Sequence, residues 1–337
     1  MTGTFILQIK GITEGIIANR PSKYNGNTDT SISDVIAVKG RTHMLAYTPT
    51  TLGDKMAEFG SNVLVAYCPE NSNDSSSSSN LNIEDHNSHN SCTCRYTHTV
   101  FLSVIKDKIT DPDDKAQIVC VNPKVAYELV ESIIEKNLIS VLPPVKQFKR
   151  FVPMVLDGKV DSCFSFVGVC EDDVPFIIEV NNVSAAEFDY NETPKEETTT
   201  EKKEVIDIEL NPQSGSNSLY NYHDPVAQSE IEKINKQRKK TAFFPDRHSK
   251  NVKELIKRIK DLTTIRKESI IRCMLCYVIE RTDIDCLEFS MDDADYRLAV
   301  KEAIQAGVDI VPVMVRWNKE GIAVFLTEEI PVVFPHD

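Results

Sequence analysis

No apolar run in this 337-residue chain approaches the roughly 20 residues needed to cross a bilayer, so no membrane partner is expected. Within Met1 to Lys10 the apolar run is only Phe5-Ile6-Leu7, too short for the core of a secretory signal. Positive charge is scarce: 38 Lys and Arg stand against 51 Asp and Glu, a net charge of -13. That deficit argues against indiscriminate nucleic-acid binding, which rests on Lys and Arg contacts to phosphate. Also missing is a second Cys-x-x-Cys to accompany Cys273-Met274-Leu275-Cys276, so this pair reads as small buried hydrophobes and not as a metal or redox site. Nine cysteines without a secretory signal imply free thiols in a reducing compartment. The expected location is intracellular, cytoplasmic or nuclear.

What charge there is lies in blocks. Residues 171–210 hold 13 acids and 3 bases, whereas residues 233–272 hold 14 bases and 4 acids. Such segregation says more about partners than the total does. Lys236-Gln237-Arg238-Lys239-Lys240 has the make-up of a nuclear-import cluster, but reads as a solvated helix end or linker. Two stretches, about 69–93 and 188–238, are rich in Ser, Asn, Thr and Glu. They hold too little apolar area to offset the entropy of ordering and are expected to be disordered insertions. The first ends in His86, His89, Cys92 and Cys94, four potential zinc ligands. Their spacing fits no standard finger, so they read as incidental members of a polar tract. The acidic second insertion is a candidate docking segment for a protein partner.

Outside the insertions the chain divides at about residue 106. Short apolar or alternating segments at Phe5–Ile9, Gly15–Ala18, Val35–Val38, Met44–Tyr47, Val63–Tyr67 and Arg95–Val104, split by turn residues, predict a small β-barrel over 1–106. Residues 107–337 predict a mixed α/β domain. A helix after Asn122-Pro123 carries an inward stripe of Val125, Ala126, Leu129, Val130, Ile133 and Ile134. Strands follow at Phe151–Leu156, Cys163–Cys170 and Pro175–Val183. A basic amphipathic helix then runs from Lys250 to Leu262, with Val252, Leu255, Ile256 and Ile259 inward. Its Lys250, Lys253, Lys257, Arg258 and Lys260 read as a solvated face or a phosphate-facing one. A last helix opens at Asp292-Asp293 and turns Tyr296, Ala299, Val300, Ala303 and Ile304 inward before Gly307.

The most informative stretch is Phe176-Ile177-Ile178-Glu179-Val180-Asn181-Asn182-Val183. Period-two geometry puts Glu179 and Asn181 on one face of a strand, and Ile178, Val180 and Asn182 on the other. A carboxylate within an apolar strand is costly unless it is paired or holds a cation.

Ordered segments along the chain resemble the sugar fermentation stimulation protein family. They are Arg20-Pro21-Ser22-Lys23-Tyr24, Pro49-Thr50-Thr51, Arg95-Tyr96-Thr97, Ile178-Glu179-Val180-Asn181-Asn182-Val183, Phe244-Pro245-Asp246, Arg281-Thr282-Asp283 and Asp293-Ala294-Asp295-Tyr296. The resemblance implies an N-terminal OB-like barrel followed by an α/β domain similar to restriction endonucleases of the PD-(D/E)xK type. It further implies nucleic-acid binding and Mg²⁺-dependent cleavage, with Glu179 and Asp246 as metal-site acids.

Two positions depart from that pattern. Ser165 stands where the resemblance implies an aspartate, and Asn181 where it implies a lysine. Serine is a poor Mg²⁺ ligand beside a carboxylate, and asparagine supplies no positive charge to a phosphoryl group. The expected function is therefore nucleic-acid binding, DNA or RNA, on a nuclease fold with impaired or lost cleavage. The alternatives are an active nuclease with a rearranged site and a protein-interaction module. The expected phosphate contacts are Arg20, Lys23, Arg41, Arg95, Lys250 and Lys253, with Tyr24, Tyr47 and Tyr96 available for base stacking.

Overall fold

A computed structural model of the chain describes residues 3–19, 32–47, 59–67, 98–105, 116–156, 159–188, 240–245, 251–290 and 293–334. The strands of the first half are β1 (Thr4–Gln8), β2 (Ile12–Asn19), β3 (Ile32–Ala37), β4 (His43–Tyr47), β5 (Asn62–Tyr67), β6 (His98–Ile105) and β7 (Gln117–Cys120). Alternation sets their facing: in β4, Met44 and Ala46 point inward while His43 and Leu45 are exposed. Ile17, Val35, Ala46, Val63, Val65 and Val100 fill the interior. Gly15 is required there, because a Cβ would stand 2.4 Å from a Val35 methyl.

The strand order is β4-β3-β2-β5-β6, and β6 then returns to β4 in parallel, Ala46 opposite His98 and Tyr47 opposite Thr99. That return closes five strands into an OB-like barrel. Two strands cross the boundary expected at residue 106. β7 extends the barrel sheet on the β6 edge. β1, expected as a barrel strand, pairs instead with a strand near the C-terminus. Its buried side chain, Ile6, packs in the core of the second half, and the Ile6 carbonyl accepts the Ser132 hydroxyl at 2.6 Å. Alternation reveals a strand but not the sheet it joins.

The second half contains α1 (Val125–Glu135), β8 (Val145–Leu156), β9 (Lys159–Cys170), β10 (Pro175–Val183), β11 (Ala186–Phe188), β12 (Lys240–Phe244), α2 (Val252–Glu268), β13 (Arg272–Ile279), β14 (Cys286–Phe289), α3 (Ala294–Gln305), β15 (Asp309–Trp317), β16 (Ile322–Thr327) and β17 (Val332–Val333). Seven strands make the main sheet, in the order β1-β16-β15-β13-β10-β9-β8. Its centre, β10, β13 and β15, is parallel and buried on both faces, apolar apart from polar residues of β10. A small sheet, β11-β12-β14-β17, stands beside it.

The two faces of the main sheet carry different cores. α1 covers one with the six residues expected from its stripe, all buried. α2 and α3 cover the other, burying Ile259, Leu262, Ile265, Tyr296, Ala299, Val300 and Ala303. The Asp293 carboxylate caps α3 by accepting the Tyr296 N–H at 2.9 Å, and Gly307 ends that segment at φ 88°. Ile304, expected inward on α3, is 40% exposed: it lies off the stripe that α2 and the sheet cover. Cys273 and Cys276, three apart in β13, fall in opposite cores, so the two thiols cannot meet on one ligand. Burial pushes both thiols up to about 12.

Candidate functional site

β10 presents Glu179 and Asn181 to the α2 face, as its period predicts, and both are buried. Glu179 is only 2% exposed, and its carboxylate is fully engaged. Oε2 accepts the Ser165 N–H at 3.2 Å and the Ser165 hydroxyl at 2.9 Å. Oε1 accepts Nη1 of Arg258 at 2.5 Å. Ser165 Oγ in turn accepts the Val180 N–H at 3.0 Å, which ties β9 to β10 through a side chain. Burial pushes the Glu179 carboxyl above its ordinary range; Arg258 and the two Ser165 donors pull it back in part.

Ser165 reaches this position because β9 loses its alternation there. Phe164 packs in the core beneath α2 and Phe166 in the core beneath α1, although residues two apart should share a face. On the neighbouring strand Phe151 lies between the partners of Phe164 and Phe166, and it adopts φ 51°. The register is unbroken here, Phe151 facing Ser165, so the irregularity is a local backbone distortion and not an inserted residue. It delivers both the backbone N–H and the hydroxyl of Ser165 to a single carboxylate oxygen.

Arg258 arrives from α2. The heptad-like series Leu255, Arg258, Leu262, Ile265 faces the sheet, so the arginine occupies an inward register among apolar residues. Its charge groups Arg258 with the outward lysines in the sequence; the structure turns it inward. The spacing was the available signal, since 3-4-3 intervals link it to three leucine or isoleucine positions. Its Nε is buried with no hydrogen-bond partner. Further along α2, Asp261 accepts the Ser162 hydroxyl, which ties the helix to β9 as well as to β10. Tyr277, level with Asn181 in the adjacent strand, shares a 2.8 Å hydrogen bond with Tyr296. Burial raises both phenols, and the Glu179 charge raises each further. The Nδ2 of Asn181 is buried without a partner.

Of the other expected site residues, Arg41 is exposed in the β3–β4 turn at φ 50°, and Lys253 is exposed on α2. Asp246, Arg20, Lys23, Arg95 and Lys250 lie outside the described residues, as do His86, His89, Cys92, Cys94 and the two insertions apart from Phe188. Lys240, the end of the basic cluster read as solvated, is buried: it pairs with Asp283, which also accepts from Arg281 at 2.7 Å. Neither of two open surface hollows, one beside α1 and β8 and one beside Thr282 and Pro331, is lined by Glu179, Ser165 or Arg258.

These residues do not fit a divalent cation. A hard cation requires several oxygen ligands, yet both oxygens of Glu179 already hold donors, one of them the Arg258 guanidinium. Ser165 Oγ is itself committed to Glu179 and Val180. Among the described residues no three acids, histidines or cysteines are grouped to hold a metal.

An OB-like barrel joined to a mixed sheet, with a carboxylate facing the helical layer from a central strand, defines a nuclease-like architecture. Residues 187–321 match the family profile described as "Sugar fermentation stimulation protein RE domain", so over that stretch the chain is similar to the sugar fermentation stimulation protein family. The structure of Pyrococcus furiosus SfsA in complex with Ca²⁺ superposes with a TM-score of 0.59, at 13% identity, over 98% of this chain and 99% of that one. That likeness establishes a shared fold. Nothing matches among curated proteins. Among the described residues no helix is long and apolar enough to cross a membrane.

Proposed function

We propose that this chain is a nucleic-acid-binding protein that retains a nuclease fold and has lost phosphodiester cleavage. The observation that carries the reading is the saturation of Glu179 by Arg258 and Ser165. Metal-dependent hydrolysis needs a cation on the phosphoryl oxygens and an activated water. Here an internal guanidinium neutralises the acid, and no lysine stands at position 181 to assist. The related protein's Ca²⁺ complex supports cation binding as an ancestral property of the fold, which this chain's own donors no longer favour.

The barrel supports the binding half of the reading. OB barrels take oligonucleotides on the face of their second and third strands and on two particular connections. In this chain those connections run from β2 to β3 and from β5 to β6. The first carries Arg20, Lys23 and Tyr24, the second carries Arg95 and Tyr96, and Arg41 sits at the turn between β3 and β4.

The test pairs two assays on the full chain. Labelled DNA and RNA are titrated at rising salt, and the same probes are incubated with Mg²⁺ or Mn²⁺. Binding without strand scission is expected. Scission that disappears in Glu179→Ala would overturn the loss of cleavage, and no binding at low salt would overturn the reading as a whole.

A further inference from the structure

We infer that the outward face of α2 is a docking surface for the backbone of duplex DNA, a step that rests on the nucleic-acid reading above. The exposed positions of this helix include Lys253, Lys257, Lys260, Thr264 and Lys267. Their spacing of 4, 3, 4 and 3 residues keeps them in one straight stripe. At 1.5 Å per residue the stripe is about 21 Å long. It lies opposite the buried face formed by Leu262 and Ile265, so the lysines project away from the sheet. The exposed acids of the helix, Glu254 and Glu268, lie at its two ends, on one shoulder beside the stripe. In a chain of net charge -13, four aligned lysines concentrate positive charge against the overall balance.

The partner follows from what the stripe contains. DNA carries a phosphate every 3.4 Å along each strand, so lysines aligned along about 21 Å of one rigid helix can meet several of them at once. Single-strand binders interleave basic residues with aromatics on which bases stack, and α2 has no aromatic residue. A lysine row alone reads charge and spacing, which a duplex backbone holds at fixed intervals. A protein partner would call for apolar anchors within the patch, and the stripe has none. The same helix carries Arg258 inward to Glu179. One element therefore fills the former cation position with its inner face and offers phosphate contacts with its outer one.

The test uses the full chain and a fluorescent duplex of about two helical turns, with a single strand of equal length as the second arm. Lys253, Lys257, Lys260 and Lys267 are all replaced by Gln; a control replaces the exposed Lys136, Lys146, Lys149 and Lys319. Circular dichroism melting verifies that both variants fold. About four phosphate contacts make the slope of log K against log salt steeper by roughly 3.6. The α2 variant is expected to lose about that much slope, and at least about tenfold in duplex affinity at low salt, while the control keeps both. A wild-type chain that binds with its slope unchanged in the α2 variant overturns this inference alone. A wild-type chain that binds nothing overturns the functional reading with it. Tighter, equally stripe-dependent binding of the single strand overturns the duplex assignment.

Discussion

Arg258 on α2 meets Glu179 on β10 at 2.5 Å, across the layer between helix and sheet. The acid is sealed at 2% exposure, whereas the arginine keeps 24%. An isolated carboxylate at that depth is costly, and the guanidinium together with the Ser165 donors makes it tolerable. The pair also fastens α2 to the centre of the sheet, which fixes where the outward lysines lie.

Removing one partner should therefore be asymmetric. Arg258→Ala leaves a buried anion and should cost about 3–5 kcal/mol. Glu179→Gln leaves a cation that still reaches water and should cost less. The double variant should cost less than the sum of the singles, by about 1 kcal/mol or more. Because burial already raises the Glu179 carboxyl, the Arg258→Ala loss should shrink as pH falls and the acid takes up a proton. Urea denaturation of the four proteins at pH 5 and pH 8 decides this. Strict additivity, or equal single losses, would show that the contact contributes little.

Much of this arrangement was legible in the sequence, and the parts that were not share a cause. The period of two in Phe176–Val183 put Glu179 and Asn181 on one face, and both are there. The stripe of α1 named all six of its buried residues. Both successes depend only on local periodicity. The inward turn of Arg258 was missed because charge was allowed to outweigh position, although Leu255, Leu262 and Ile265 mark its register. The broken alternation at Ser165 was not readable, since it is shared with Phe151 on a neighbouring strand. Nor was the sheet that β1 joins, which is set by β16 more than 300 residues later. Long-range pairings of that kind leave no periodic trace in either segment.

Ser165 should prove as important to the site as Arg258. Its hydroxyl is at once donor to Glu179 and acceptor for the Val180 N–H. Ser165→Ala leaves two buried groups short of a partner and should cost about 1–3 kcal/mol. Ser165→Cys, of similar shape but a weaker donor and acceptor, should recover only part of that. Thermal melts of the three proteins suffice. A neutral Ser165→Ala would mean that water replaces the hydroxyl and that the site is wetter than its burial implies.

Divalent cations should leave the natural chain's melting temperature unchanged, and so should a chelator. A site with about 100-fold excess of cation over its dissociation constant would add about 2.7 kcal/mol. No described group of ligands is available for one. The double variant Ser165→Asp, Arg258→Ala removes the internal cation and places a second carboxylate against Glu179. Two acids this close repel unless a cation lies between them. This variant should be destabilised alone and regain stability with Mn²⁺ or Ca²⁺. A cation-dependent melt of the natural chain would sink the view that Arg258 has taken the cation's place, as would a variant indifferent to metal.

The last prediction concerns the contact between barrel and main sheet. Glu280, at the end of β13, is fully buried, and Oε2 accepts the Trp317 indole N–H at 2.6 Å. Cys120 of β7 lies against the same carboxyl, and Oε1 is otherwise without a hydrogen-bond partner. Next to it Thr282 donates to Gln117 of β7 at 2.9 Å. Burial pushes the Glu280 carboxyl up to about 8, with Trp317 and Cys120 pulling it back only in part. The folded chain thus holds a proton that the unfolded chain releases near pH 4.5. This group's contribution is fully present below that pH and is lost progressively up to about pH 8. Each tenfold difference in proton affinity between the two states is worth about 1.4 kcal/mol, so the total is on the order of 5 kcal/mol. Glu280→Gln keeps an acceptor for Trp317 and cannot ionise. The variant should match the natural chain near pH 4.5 and exceed it by several kcal/mol at pH 8, with a flatter dependence between. Urea midpoints measured across that range test it. Parallel curves would show that Glu280 is already ionised in the fold, with water reaching the seam between barrel and sheet.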